Sequence, residues 1–340
     1  SYTNRHDDYV NQEGYVPTTY TRIREQNLAG YAQYSHPLPF GQANIGLRYE
    51  HVDFDYFENA TFVPGQSRVY DNIFPNISVN GQLGKVQFQV SYAAKTQRPN
   101  YSQLRNNITY ANRFTWQTGN PLLKPSVTHD ITAVGVWRFF QAMVSYKVVR
   151  DYILYWGTQV ENQSATTLIN YINHDRLPSL TVMLAASPTI GIWNLNASAI
   201  VMKQWFSLDA AGQRRTYNNP LFVGSLNNTF TLPAGFLLSA DFNYQSRGQV
   251  QNITLKRPQY TLNIGLRKSL FNDALSIEAR ANDLLLGCKQ EALLYMESAQ
   301  MKDLSWSDTR SFSLTVRYKF NAAKSKYKGT GAGQDTINRM

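Results

Sequence analysis

The sequence has little of what marks a secreted disulfide scaffold, a helical membrane protein or an enzyme. Among its 340 residues there is one cysteine, Cys288, which excludes an intrachain disulfide and a cysteine-rich metal site. No apolar run approaches the roughly 20 residues that a membrane-spanning helix needs. Zinc-protease, Walker and nucleophile-elbow motifs are also missing. We therefore predict no catalytic, cofactor-binding or metal-binding residue and no enzymatic activity.

Charge is sparse as well, at 16% of the residues, although the formal net charge is +10. The Lys and Arg residues are scattered along the chain, apart from Lys324, Lys326 and Lys328 near the C-terminus. A scattered surplus without a recognised binding motif does not favour a nucleic-acid partner. Residues 1–8 are polar and lack the apolar segment of a signal peptide, so we expect a mature chain or a fragment.

What the sequence does contain is a repeated alternation of apolar and polar residues in blocks of about ten residues. The block near the C-terminus is the clearest, with apolar residues at every second position: Phe312, Leu314, Val316, Tyr318 and Phe320. Similar blocks begin near residues 42, 85, 236, 260 and 275. Since successive side chains of a strand point to opposite faces, each block predicts a strand with one apolar and one polar face.

The connections between the blocks alternate in length, which favours a transmembrane β-barrel. Short connections are predicted near residues 36–41, 81–84, 138–141, 187–190, 233–235 and 268–272. Long polar connections are predicted near residues 55–67, 96–125, 151–166, 207–219, 246–258 and 286–305. In outer-membrane barrels the short turns face the periplasm and the long loops face the outside. We therefore predict an all-β fold, an antiparallel transmembrane barrel with about 14 strands over residues 1–320 and a basic, glycine-rich tail at 321–340.

Several segments resemble the barrel of TonB-dependent outer-membrane receptors, in particular the Bacteroidetes-type outer-membrane β-barrel family. The most specific segment is a loop with Gly, Asn and Pro residues at 119–125, preceded by Lys95, Arg98 and Pro99. Weaker similarities are found at 46–50, at 282–285, where Leu285 stands in place of the usual Phe, and at 324–331. The resemblance extends from about residue 28 to residue 340.

This resemblance implies a receptor whose extracellular loops capture a scarce ligand, such as a metal chelate, an oligosaccharide or a peptide. It also implies a barrel of about 22 strands, an N-terminal plug domain, a TonB complex that energises transport and a surface lipoprotein partner. Residues 1–320 are therefore expected to form the C-terminal portion of such a barrel, in contact with the lipid of the bacterial outer membrane.

The long loops are the expected ligand-binding surface, because aromatic, amide and guanidinium groups suit sugars, peptides and metal chelates. The candidate contact residues form two groups: Tyr101, Arg105, Tyr110, Arg113 and Trp116 in one loop, and Tyr155, Trp156, Tyr171 and His174 in another. Within 119–125, Gly119 permits a positive φ and the two prolines fix theirs, which predicts a rigid entry into the next strand rather than a ligand contact.

Two other functions stay open on the sequence. One is a self-contained passive porin or structural surface barrel of about 14 to 16 strands. The other is an outer-membrane hydrolase whose Ser, His and Asp residues converge at the rim of the barrel. The five histidines are far apart in sequence, so no pattern supports the hydrolase.

Overall fold

The computed structural model describes residues 1–9, 19–160, 163–297 and 300–320, so the predicted tail lies outside the described residues. Fourteen antiparallel strands form a meander in which each strand pairs with the next one along the chain. They are β1 (Tyr2–Tyr9), β2 (Thr19–Leu38), β3 (Gly41–Glu58), β4 (Arg68–Leu83), β5 (Val86–Gln97), β6 (Ser126–Trp137), β7 (Phe140–Val160), β8 (Gln163–Ala186), β9 (Trp193–Gln204), β10 (Leu221–Leu232), β11 (Phe236–Gln245), β12 (Gln259–Leu270), β13 (Leu275–Asn282) and β14 (Ser311–Tyr318). The predicted number of strands and their antiparallel order are confirmed.

Smaller elements lie in the connections between these strands. A single helical turn, α1, covers Tyr101–Leu104, and a 3-10 turn covers Pro233–Gly235. Short strands cover Thr61–Phe62, Thr109–Asn112, Thr115–Gln117, Thr189–Ile190, Phe206–Ala210, Gln213–Tyr217, Gly248–Val250, Ile253–Leu255, Lys289–Tyr295 and Gln300–Trp306. Over the described ranges, no helix has the length and apolar character needed to cross a membrane.

The lower part of the sheet is a wall with one apolar face. On β7, the positions from Phe140 to Val148 place Val144 and Tyr146 on the outer face, and both are well exposed. This apolar stretch covers about nine residues, the length that a tilted strand needs to cross the hydrocarbon of a membrane. The opposite face of the wall carries the Gln, Ser and Lys residues that the alternation assigns to the lumen.

The short connections form the tight turns that the sequence predicts. The turn from β6 to β7 consists of residues 138 and 139, and Arg138 adopts a left-handed φ of 53°. The turn from β4 to β5 is equally short, and there Gly84 has a φ of 60°. All six short connections lie at the same end of the sheet, since every second junction of an antiparallel meander falls on the same side.

One predicted loop is instead an extension of two strands. The prediction of a long polar connection at 151–166 is wrong, because β7 and β8 stay paired as far as Gln159 and Thr167. The misleading feature is the loss of alternation beyond Asp151, where apolar residues fill successive positions. Packing of other loops against both faces of this hairpin explains that pattern. The remaining long connections likewise contain paired strands rather than irregular chain alone.

The apolar face of β3 changes sides near His51. Below this residue, the outward side chains Ile45 and Leu47 are about half exposed, as expected for a surface in contact with lipid. Above it, the inward side chains Phe54 and Tyr56 are buried. The switch places the upper boundary of the apolar wall close to His51 and a water-facing extracellular region beyond it.

The extracellular region has a core of its own, made by loops that pack against the strand extensions. Three clusters of buried side chains hold it together, and they are Ile23, Phe54, Tyr56, Tyr101, Leu104 and Leu123; Val149, Leu154, Leu177, Phe206 and Tyr217; and Ile169, Leu294 and Met296. The first cluster joins the 97–125 connection to β2 and β3. The other two fasten the connections that follow β9 and β13 to the hairpin of β7 and β8.

Candidate functional site

The 97–125 connection is fixed over the inner face of the strands by hydrogen bonds. The Arg68 guanidinium donates to the backbone oxygen of Leu123 at 2.7 Å and to that of Pro121 at 2.9 Å. Asn120 Nδ2 donates to the backbone oxygen of Tyr171 on β8 at 2.8 Å. These contacts hold the loop from both sides; the rigidity that its Gly and Pro residues predict stays a prediction.

Gly119 is needed for a different reason from the one expected. Its φ is not in the left-handed region, which in the described chain includes Gly84, Gly191, Gly212 and Gly235. A Cβ at position 119 would instead lie within 2.5 Å of the backbone oxygens of Gln103 and Arg105. Close approach of two backbone segments therefore excludes a side chain here.

The structure brings one member of the first predicted group of loop residues and two members of the second together at one crevice. Arg105 from the first group lies beside Tyr155 and Tyr171 from the second, and all three line a space of about 130 Å³. The rings of Tyr155 and Tyr171 meet edge to face with centroids 5.7 Å apart. Burial raises the pKa of the Tyr155 phenol, with a smaller contribution from Tyr171, so Tyr155 stays a neutral hydrogen-bond donor.

Three other candidates occupy a small hairpin next to this crevice. Tyr110 is exposed and pairs with Trp116, while the Arg113 guanidinium lies 5.0 Å from the ring centroid of Phe114. The Trp116 strand continues as a parallel partner of β8 at Leu168. Arg113 is exposed like Tyr110, whereas Trp116 is partly buried.

The remaining candidates are packed into the interior of the region. Tyr101 is 1% exposed and belongs to the cluster beneath α1, and Trp156 is 6% exposed on the hairpin of β7 and β8. His174 contacts Phe206 edge to face, with centroids 5.1 Å apart. Burial beside that ring lowers the pKa of His174, and nearby Arg214 acts in the same direction while Asp175 opposes it.

A larger cavity of about 510 Å³ opens on the inner face, below the folded loops. Its charged lining comes from Lys95 on β5, Lys147 on β7, Lys203 on β9 and Arg98, without a carboxylate among the described residues around it. Amide side chains complete the polar lining: Gln97, Asn100, Gln103, Gln204, Gln249 and Gln251. The sequence alone did not single out Lys147 or these amides, because only the strand order shows that they converge.

Arg98 differs from the three lysines because carboxylates already compensate its charge. Its guanidinium lies 2.7 Å from Glu50 Oε2 and 3.6 Å from Glu25 Oε1. Glu50 is also 2.7 Å from Arg48, so the four side chains form a mostly buried network. The excess positive charge of the cavity therefore belongs to its three lysines, Lys95, Lys147 and Lys203.

The fourteen-stranded meander, the apolar outer wall and the polar inner face agree with a comparison against protein families. The model of the outer membrane protein beta-barrel family matches residues 1–318. The chain belongs to this family. It is therefore an antiparallel transmembrane β-barrel protein of the bacterial outer membrane, and the outward apolar face contacts lipid. A search of curated proteins finds no significant match.

Solved structures of outer-membrane receptors and transporters share the fold. The FrpB iron transporter from Neisseria meningitidis is 14% identical with a TM-score of 0.55, and the match covers 90% of this chain and 45% of FrpB. The ferric-catecholate import receptor Fiu from E. coli K12 is 12% identical with a TM-score of 0.57, and the match covers 89% of this chain and 46% of Fiu. The Serratia marcescens hemophore receptor HasR, solved with its hemophore HasA and heme, is 14% identical with a TM-score of 0.57. The match covers 92% of this chain and 53% of HasR. The chain thus spans about half the length of these proteins.

Proposed function

We propose that this chain forms the C-terminal part of the barrel of a TonB-dependent receptor that takes up a scarce, anionic metal chelate. The observation that carries the proposal is the cavity with Lys95 and Lys147 beneath extracellular loops that are folded inward. A barrel that only supports the membrane has no need of such a cavity. The similarity to iron and hemophore receptors supports the same reading at the level of the fold.

The side chains that line the cavity favour a metal chelate over a neutral sugar or a peptide. Three lysines without compensating carboxylates attract an anion into a recess partly shielded from water. Glutamine and asparagine side chains around them can donate hydrogen bonds to carboxylate or catecholate oxygens. Arg105 and Tyr155 offer a guanidinium and an aromatic edge at the crevice above, and Tyr110, Arg113 and Trp116 provide a first contact. Tyr101 and Trp156 would support these residues from within the core.

The proposed partners follow from the same reading. A plug domain would occupy the lumen, a TonB complex would energise release of the ligand, and a surface lipoprotein could present the ligand to the loops. No enzymatic step is required of this chain, since capture and passage need only binding groups. Uptake through a passive pore is less consistent with the structure, because the 97–125 connection packs against β2 and β3 at the extracellular end of the barrel.

The test uses the full-length protein in its own outer membrane and a defined probe. Cells that carry the gene as their only uptake route would be given a ⁵⁵Fe-labelled ferric catecholate complex. We expect accumulation that stops when tonB is deleted or a protonophore is added. Accumulation that persists under both treatments would favour the passive porin, and no accumulation would exclude this ligand class.

A matched pair of variants would tie uptake to the cavity. K95Q and K147Q together remove two of the three uncompensated charges, and we expect weaker binding of the ferric catecholate and little change for a neutral ferric chelate. K85Q serves as the control, since Lys85 lies in the periplasmic turn between β4 and β5. Equal uptake by the double variant and the control would contradict the role of the cavity.

A further inference from the structure

An apolar band crosses the inner face of the barrel wall, which is otherwise mostly polar. The strand register places its five members directly beside one another on β6 to β10, and they are Val134, Met143, Met183, Ile200 and Val223. They alternate along their strands with exposed residues of the outer face, such as Val144 and Leu184, and so point toward the lumen. All five are partly exposed, and the set is termed the inner band.

The wall on either side of the inner band is polar. Toward β4 and β5, amide side chains such as Asn80 and Gln89 line a recess of about 660 Å³ that reaches Val134. Toward β11 and β13, Asp241 and Arg280 form an ion pair with charged atoms 3.5 Å apart. Apolar surface that stays exposed between two polar regions indicates contact with an apolar group.

The composition of the inner band suits an aliphatic chain better than a planar ring. An aromatic ligand group gains most from aromatic side chains, and the band offers only valine, isoleucine and methionine. Methionine side chains are flexible, so they adapt to a partner of irregular shape. Since neighbouring strands lie about 4.8 Å apart, the band extends for about 19 Å from β6 to β10. A long and narrow apolar surface fits an extended hydrocarbon chain.

The inner band is continuous with the cavity that contains the uncompensated lysines. Met202 lines this cavity and lies two positions beyond Ile200 on β9, toward the extracellular end. Its pairing partner on β8 is Thr181, two positions from Met183, so the two methionines are diagonal neighbours. Such neighbours lie about 7–8 Å apart, within reach of long side chains. Leu177 adds further apolar surface to the cavity on the same strand as Met183.

From this continuity we infer that the ligand is an amphiphile, an anionic metal chelate that carries an aliphatic chain. The inference rests on the proposed function and narrows its substrate class. The chelate binds at the lysines of the cavity, and the chain extends past Met202 along the inner band. The lysines attract the anionic head, and contact between chain and band removes apolar surface of both from water.

The test compares two ferric catecholate chelates that differ only in one dodecyl chain. The full-length protein is reconstituted in nanodiscs, the chelates carry ⁵⁵Fe, and label bound by protein-free nanodiscs is subtracted. We expect the chain to tighten binding about 50-fold, because several methylene groups leave water. In M143Q/M183Q, whose side chains keep nearly the same length, this gain should fall about tenfold, with the chain-free chelate unaffected. A gain that M143Q/M183Q leaves intact would overturn the inference.

Matched variants separate the inner band from the lysines and from sulfur chemistry. M143L/M183L keeps the band apolar and should keep the gain, whereas its loss there would assign the effect to the thioether sulfurs and overturn the inference. L237Q, on β11 outside the band, should keep the gain as well. K95Q/K147Q should weaken binding of both chelates by the same factor. Circular dichroism would verify that every variant is folded.

The inference and the proposed function fail in different ways. Binding of the chain-free chelate without any gain from the chain would overturn the inference alone, because the inner band would then pack against another part of the protein. Binding of neither chelate would overturn both. Dodecanoate serves as a competitor without metal. If it displaces the chain-bearing chelate at equal concentration, a simple fatty acid fits the site as well, and the chelate head group is excluded.

Discussion

The two ends of β3 place their apolar side chains on opposite faces of the sheet, although they belong to one continuous strand. Below His51 the apolar side chains Ile45 and Leu47 point outward, and above it Phe54 and Tyr56 point inward. The lower end is surrounded by lipid, so apolar groups gain most by facing out. The upper end is surrounded by water, so they gain most in a core under the loops. One end of this strand therefore has the side-chain pattern of a membrane protein, and the other end has the pattern of a water-soluble protein.

The largest expected effect comes from the core of the upper region. Leu154 is completely buried between the hairpin of β7 and β8 and the Phe206–Ala210 strand. L154A leaves a cavity there, and we expect a loss of about 2–5 kcal/mol in the free energy of unfolding. Urea titration in lipid vesicles would measure the loss. L304A is the matched control, because Leu304 is exposed in the same region and should change stability by about 0.5 kcal/mol or less.

The lower wall should respond to charge rather than to cavities. I45R places a guanidinium on the lipid-facing side, and we expect it to cost about 2–4 kcal/mol, as for a charge near the bilayer centre. D53R introduces the same side chain two residues beyond His51, and it should cost about 1 kcal/mol or less. The same titration compares them. Equal costs at both positions would remove the distinction between the two ends.

A local effect is expected where the loop is fastened to the wall. R68M removes both hydrogen bonds to the backbone oxygens of Pro121 and Leu123. We expect faster hydrogen exchange at the amides of residues 119–124, with the global unfolding midpoint little changed. R214M, which only breaks an exposed ion pair with Asp209, should leave the hydrogen-exchange rates of those amides unchanged. Unchanged exchange in R68M would show that apolar packing alone fixes the loop.

The smallest effect concerns pH. The pKa of His174 is lowered in the folded protein by burial beside Phe206, so the unfolded chain binds a proton more readily. Its contribution to stability is therefore present at neutral pH and is lost as the pH falls below the ordinary histidine value of about 6.5. We expect H174Q to show a weaker decline of the urea midpoint between pH 7.5 and pH 5.5. An identical decline in H174Q and the unmodified protein would assign it to other groups.

The lower wall could be predicted from sequence, whereas much of the upper region could not. Alternation alone defines strands such as β14, since one lipid face and one lumen face impose a period of two. Beyond Asp151 that period disappears, because loops cover both faces of the hairpin, and the pattern there predicts a loop instead of the strand that is found. The convergence of Arg105 with Tyr155 depends on a contact between distant parts of the chain. The local pattern of the sequence predicts neither such long-range contacts nor the close backbone approach at Gly119.

The most direct test of the change at His51 is a scan of β3 in bilayers. Single cysteines would be introduced at positions 43 to 57 in a C288S background, labelled with a polarity-sensitive fluorophore and quenched by brominated lipid. We predict strong quenching at 45, 47 and 49, and none at 53 and 55. Quenching that continues at every second position through 55 would contradict this account, because the strand would then still face lipid above His51.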